Sequence, residues 1–148
     1  MKTAYAQQAV SNDQLQSVPT SSASRILQEL EWLEDLQFMA QECAFLNWLL
    51  AESIDSTIGE KKQRLQGLLT EFQDFQIAQI ESCILDIQQH LDRKKGPRRR
   101  KRSMANNLID LDWYRNLQTR MQTSKVEFRR LKRLSFTHID RFMNFRIV

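Results

Sequence analysis

The sequence predicts an all-α protein, and three observations support this fold class. The 148 residues include only 3 Gly and 2 Pro, too few for the many turns of an all-β fold. Hydrophobic residues make up 41% of the chain, which is enough to bury a core. Apolar residues recur at intervals of three and four, as on one face of an α-helix. We therefore expect an antiparallel up-down-up three-helix bundle or a coiled coil of long helices.

The predicted helices cover about residues 24–55, 60–93 and 103–145 and form a single domain over residues 22–148. Serines at the start of the first helix can accept hydrogen bonds from its unpaired amide groups. Gly59 marks the first break, because glycine readily adopts the positive φ that ends a helix. Pro97 marks the second break, since it lacks an amide donor. Residues 1–21 are polar and are expected to form a mobile tail.

The first predicted helix carries two apolar stripes, about 120° apart at 100° per residue. A helix with two stripes contacts two neighbours, which favours a three-helix bundle or a hairpin that dimerises. Trp48 lies outside the first stripe and is the preferred candidate for a dimer contact. The first stripe consists of Leu36, Met39, Cys43, Leu46, Leu50 and Ile54, and the second of Leu27, Phe38, Phe45 and Leu49. The candidate protein-interface residues are Trp48, Phe38, Phe45 and Leu49.

The other two helices differ in the period of their apolar residues. The stripe of the second helix repeats about every 3.7 residues, so no strong left-handed supercoil is expected. It comprises Leu65, Leu69, Phe72, Gln76, Ile80, Cys83, Ile87 and Leu91. The third helix follows a plain heptad that includes three polar positions. Its members are Tyr114, Leu117, Met121, Ser124, Phe128, Leu131, Ser135, His138, Phe142 and Phe145.

No constellation of residues predicts catalysis, a metal site or a cofactor. With tight turns, residue n of the first helix faces about residue 115 − n, and residue n of the second faces about 195 − n. This places His90 and His138, the only histidines, at opposite ends of the rod. Cys43 and Cys83 lie too far apart along the axis for a disulfide and are expected to be buried, reduced thiols. A non-enzymatic protein is predicted, with self or another helical protein as its partner.

Charge is sorted along the chain. Residues 1–92 have a net charge of −9, residues 93–102 of +8 and residues 103–148 of +5. Eight cations in ten residues repel one another and predict a solvated basic connector at one end of the rod. Such a run can bind nucleic-acid phosphates or another anionic surface, which is the alternative function. The candidate contacts are Arg93, Lys94, Lys95, Arg98, Arg99, Arg100, Lys101 and Arg102.

The basic residues of the third helix have a different expected role. Acidic residues of the first two helices are expected to neutralise them in part, so that they assist assembly of the bundle. Arg129, Arg130 and Arg133 are expected to remain uncovered and are further candidate anion contacts. The sequence contains no run of about 20 apolar residues, and its first residues lack the apolar core of a signal peptide. The expected location is cytoplasmic, with no membrane span.

Aromatic and apolar positions over residues 26–146 resemble a family of short bacterial long-helix proteins of unknown function. The resemblance rests on Trp32, Leu36, Phe38, Glu42, Phe45, Leu46 and Leu49, followed by Phe72, Phe75 and an aromatic-rich last helix. It implies a helical hairpin or bundle and no particular site. The basic connector departs from that pattern.

Overall fold

The computed structural model describes the backbone of residues 21–94 and 104–147, and the side chains of residues 21–93 and 108–139. The prediction of an all-α fold is confirmed, since the described residues form helices and contain no strand. The predicted tail, residues 1–21, lies outside the described residues except for Ser21. Most of the basic connector also lies outside them.

Helix α1 spans Ser22–Asp55, where the sequence predicted about 24–55. The hydroxyl of Ser21 caps it by accepting a hydrogen bond from the Ser24 amide at 3.0 Å. Gly59, at the start of the next helix, has a φ of 75°, which confirms the expected positive φ. A side chain at this position would strain the backbone, so glycine allows the tight turn.

The second long helix has a π-helical interruption. Helix α2 spans Gly59–Phe75, a π-helical segment spans Gln76–Glu81, and helix α3 spans Ser82–Lys94. Helix α4 spans Met104–Ile147. The predicted bounds for these two long helices were about 60–93 and 103–145.

Contacts between side chains define the relative directions of the helices. Glu29 near the start of α1 contacts His90 in α3, whereas Asn47 further along α1 bonds Gln76 in the π-helical segment. The first and second long helices therefore run in opposite directions. Helix α4 runs opposite to the second long helix, because Arg120 contacts Asp86 whereas the later Arg130 contacts the earlier Glu71.

Helix α1 and helix α4 run in the same direction. Lys125 pairs with Asp35 and Lys132 pairs with Glu42, so both pairs are 90 residues apart in the sequence. These ion pairs bear out the expected neutralisation of the third predicted helix by acidic neighbours. Both ion pairs lie along the contact between α1 and α4. This contact is called the α1/α4 seam.

The core consists of buried rows with alternating steps of three and four residues. The whole first predicted stripe of α1 is buried, and so are the predicted α4 positions from Tyr114 to Ser135. His138 is only partly buried, whereas Ile139 is buried and takes its place in the core. Phe142 and Phe145 lie outside the described side chains.

The π-helical segment corrects the predicted period of the second long helix. Its buried residues are Leu65, Leu68, Phe72 and Phe75 before a step of five, and Ile80, Cys83, Ile87 and His90 after it. Leu69, Gln76 and Leu91 of the predicted stripe are only partly buried. The buried row therefore averages about 3.6 residues per step, and its one longer step holds an extra residue that the wider π-helical turns absorb. On each side of it the spacing is the same as in α1 and α4.

The predicted alignment of the helices is also wrong by several residues. The sequence placed residue 86 opposite Glu29, which in fact contacts His90. It placed residue 120 opposite Phe75, whose ring stacks on Phe128 at 6.2 Å. The second shift arises because α3 ends at Lys94 and α4 begins only at Met104, so the middle of the break comes after Pro97. The arithmetic used turn positions alone, whereas packing between the helices fixes their alignment.

Candidate protein-interaction surface

An apolar stripe lies on the outward face of α1. Its five members are Leu27, Leu30, Phe38, Phe45 and Trp48, and each is at least 47% exposed. At 100° per residue, these five residues lie on the side of α1 opposite its buried row. At 1.5 Å per residue the stripe is about 32 Å long. This set is called the α1 stripe.

Three of the four predicted interface residues belong to the α1 stripe. Phe38 is 61% exposed, Phe45 56% and Trp48 57%, and the rings of Phe45 and Trp48 stack with centroids 6.3 Å apart. Leu49 instead is partly buried and packs against the core. Both neighbouring helices pack on the side of the first stripe, so most of the second stripe has no partner within the described chain. Leu30 lies in neither predicted stripe, so the sequence analysis did not identify it as an interface residue.

A groove of about 340 Å³ lies between α1 and α4. Phe38 of the α1 stripe forms part of its wall, together with Asp35, Met39, Lys125, Phe128, Arg129 and Lys132. Lys125 and Lys132 already form ion pairs, since Lys125 lies 3.4 Å from Asp35 and Lys132 lies 2.7 Å from Glu42. Arg129 forms no ion pair with any described residue.

The other predicted anion contacts fall into two groups. Arg130 is not free, because it pairs with Glu71 and Glu127 at 2.8 Å each. Its hydrogen bonds to Glu127 and Glu71 raise the pKa of the guanidinium above its ordinary value. Arg133 is exposed and lines a smaller groove with Leu134 without an ion pair among the described residues.

The first two cations of the basic connector belong to α3. Arg93 is exposed near the end of α3, and Lys94 is its last residue. The remaining six cations of the connector, between residues 95 and 102, lie outside the described residues. The structure therefore leaves their role as a prediction.

A buried polar cluster was missed by the sequence analysis. His90 Nδ1 and Glu29 Oε1 are 2.8 Å apart, and both side chains are almost fully buried. The His90 ring stacks on Trp113 with centroids 3.8 Å apart, and its Nε2 lies 4.0 Å from Asp110 Oδ1. Glu29 belongs to neither predicted stripe of the first helix. Nothing in the local spacing shows that it meets a residue 61 positions away.

The cysteines are buried in the core and are not joined by a disulfide. Burial, with a smaller effect of the Glu42 carboxylate, raises the pKa of Cys43 to about 12. Burial likewise raises the pKa of Cys83 above its ordinary value. Thiolates are therefore disfavoured at neutral pH, and these residues act as small apolar side chains.

No group of three or more His, Cys, Asp or Glu side chains in the described part of the chain could hold a metal ion. None of the described helical segments is both long and apolar enough to cross a membrane.

Comparison of the chain with protein-family models, with curated proteins and with solved structures found no significant match. The resemblance to short bacterial long-helix proteins therefore stays a prediction.

Proposed function

We propose that this protein is a non-enzymatic helical binding protein whose α1 stripe docks another polypeptide chain. The observation that carries the proposal is the alignment of Phe38, Phe45 and Trp48 on one exposed helix face. Single exposed apolar residues are ordinary, but contiguous exposed patches mark interaction sites. Aromatic residues are also the commonest anchors of protein interfaces.

Site-specific photo-crosslinking tests this proposal directly. A photoreactive amino acid replaces Phe45 in the α1 stripe, and in a control protein it replaces Leu85, which is 54% exposed on α3. We expect a discrete crosslinked adduct in cells from position 45 and none from position 85. Mass spectrometry then identifies the attached chain, which is either a second copy or another protein.

A double variant supplies the quantitative arm of the test. F45S/W48S is expected to abolish the adduct of a reporter at position 38 while leaving the helical circular dichroism unchanged, because both side chains are exposed. The matched control, I77S/L85S, removes two similarly exposed apolar residues outside the stripe. Equal adducts from positions 45 and 85, or none from position 45, would contradict the proposal.

The alternative proposal is electrostatic binding of nucleic acid by the basic connector. It is supported by the eight cations of residues 93–102 and by Arg129 and Arg133, which form no ion pair with a described residue. Binding through phosphates releases counterions, so affinity should fall steeply with salt. Fluorescence titration with DNA and RNA at 50 and 200 mM salt tests it. Salt-independent affinity, or unchanged affinity after residues 98–102 are replaced by Ser, would rule it out.

A further inference from the structure

We infer that the docked chain is a second copy of this protein, held in a two-fold dimer in which α1 of each copy packs against α4 of the other. The inference rests on the proposed function, because it uses the same α1 stripe and names its partner. Three features of the described residues support it: a shared face, opposite charges on its two edges, and the positions of those charges along the helices.

The first feature is a common face formed by α1 and α4. Phe38 and Arg129 line the same groove on opposite sides of the α1/α4 seam. Phe45, Glu34 and Glu31 lie seven or four residues from Phe38, and residues at these intervals share a helix face. Arg133 lies four residues beyond Arg129 and shares its face for the same reason. Glu31, Glu34, Arg129 and Arg133 are all exposed.

The second feature is the charge of the two edges. On the α1 edge, Glu31 and Glu34 form no ion pair with a described residue, and Glu31 only accepts a 3.4 Å bond from Gln28. On the α4 edge, Arg129 and Arg133 are also without ion pairs among the described residues. One face therefore carries an acidic, apolar edge beside a basic edge. Such a face is complementary to itself when it is rotated by a two-fold axis.

The third feature is where the charges stand along the helices. The seam ion pairs join residues 90 positions apart, so Phe38 is level with residue 128, beside Arg129. Glu31 and Glu34 precede that level, whereas Arg133 follows it. Because α1 and α4 run in the same direction, a two-fold axis through the groove brings the acids of one copy level with the arginines of the other.

The rotated arrangement also covers the aromatic residues. The helices of the two copies would then run antiparallel, with Phe38 of one copy beside Arg129 of the other. Phe45 would come level with residue 121 of the other copy, beside the exposed Gln122. Guanidinium groups stack favourably on aromatic rings, and their aliphatic stems cover apolar surface. Two copies related in the other obvious way, α1 against α1, would instead oppose acidic edges.

Charge reversal distinguishes these arrangements. Sedimentation equilibrium measures the dimer dissociation constant of the full chain and of three variants: E31R/E34R, R129E/R133E, and the quadruple variant that carries both changes. We expect a dimer for the wild-type chain and an increase of at least about tenfold in the dissociation constant for each double variant, because like charges then meet. The quadruple variant should dimerise like the wild type, as should an equimolar mixture of the two double variants.

The matched control is D74R/E81R, which reverses two exposed acids outside the shared face and should leave the dissociation constant unchanged. A monomeric wild-type chain, an unaffected R129E/R133E variant, or a folded quadruple variant that stays monomeric would each overturn the inference. A monomer that still gives an adduct with another protein from position 45 would refute the dimer while retaining the proposed binding function. Loss of that adduct altogether would refute both.

Discussion

Glu29 and His90 show how a single contact can connect two helices inside an apolar core. Their 2.8 Å contact satisfies two buried polar groups that would otherwise be costly to bury. Tyr114 is buried nearby, and burial together with the Glu29 carboxylate raises its pKa to about 12. The cluster fixes α1 against α3 near one end of the molecule.

Removal of one partner from this pair should destabilise the fold. E29A is expected to lower the free energy of unfolding by about 3 kcal/mol, because His90 loses its buried partner. E52A, an exposed control on the same helix, should change it by less than about 0.5 kcal/mol. Urea unfolding followed by circular dichroism measures both. E29L/H90L should lose less stability than E29A, and equal effects of E29A and E52A would contradict this account.

The thiol of Cys43 should make stability depend on alkaline pH. Its pKa rises from the ordinary 9.0 to about 12 on folding, so the unfolded chain ionises first. The stabilisation from the neutral thiol is complete below pH 9 and is lost as the pH rises towards 12. Between pH 8.5 and 10, wild-type protein should lose about 1 kcal/mol more unfolding free energy than C43A.

Alkylation rates provide an independent check on the same burial. At pH 8.5 the native thiols should react with iodoacetamide far more slowly than those of the chain in guanidinium chloride. A cysteine introduced at the exposed Ser24 provides the reactive control. Native and denatured rates that agree would show that the thiols are accessible.

At the scale of elements, the π-helical segment reconciles one extra residue with two regular buried rows. Leu65 to Phe75 and Ile80 to His90 each keep steps of three and four, and the step of five between them falls at Gln76–Glu81. A regular α-helix through this region would turn one of the rows about 100° away from the core.

Deletions of one residue test this role of the π-helical segment. Removal of Ile77, which is 63% exposed, should convert the segment to regular α-helix and change the unfolding free energy by less than about 1 kcal/mol. Removal of Gln66 should rotate Leu68, Phe72 and Phe75 away from the core and cost more than about 3 kcal/mol. Urea unfolding measures both variants. Similar losses for the two deletions would show that the segment does not absorb a residue.

At the scale of the whole molecule, folding pairs several cations of the basic third helix with acids from the rest of the chain. Four cations of α4 pair with carboxylates of α1, α2 and α3, namely Arg120, Lys125, Arg130 and Lys132. The apparent dipole of the sequence is thereby reduced in the folded protein. Among the described side chains of α4, Arg115, Arg129 and Arg133 are the cations that form no ion pair with a described residue.

A charge swap tests the alignment of α1 with α4 across the molecule. K132E should lower the unfolding free energy by about 1 kcal/mol, because Lys132 and Glu42 are partly exposed and solvent weakens their attraction. E42K/K132E should recover most of this loss, whereas E52K, at an exposed position that forms no ion pair with a described residue, should have almost no effect. Thermal unfolding at low salt measures the series. An additive double variant would indicate that the two residues do not interact.

The sequence by itself determined the helices and most of the buried rows, because spacing of apolar residues is a local property of the chain. It also singled out Phe38, Phe45 and Trp48, whose place outside the main stripe left them without a core partner. Only the tertiary structure decided the rest. The pairing of Glu29 with His90, the offset of 90 residues between α1 and α4, and the site of the π-helical segment depend on packing between distant parts of the chain. Turn positions constrain these alignments only within several residues, and interlocking side chains select one of them.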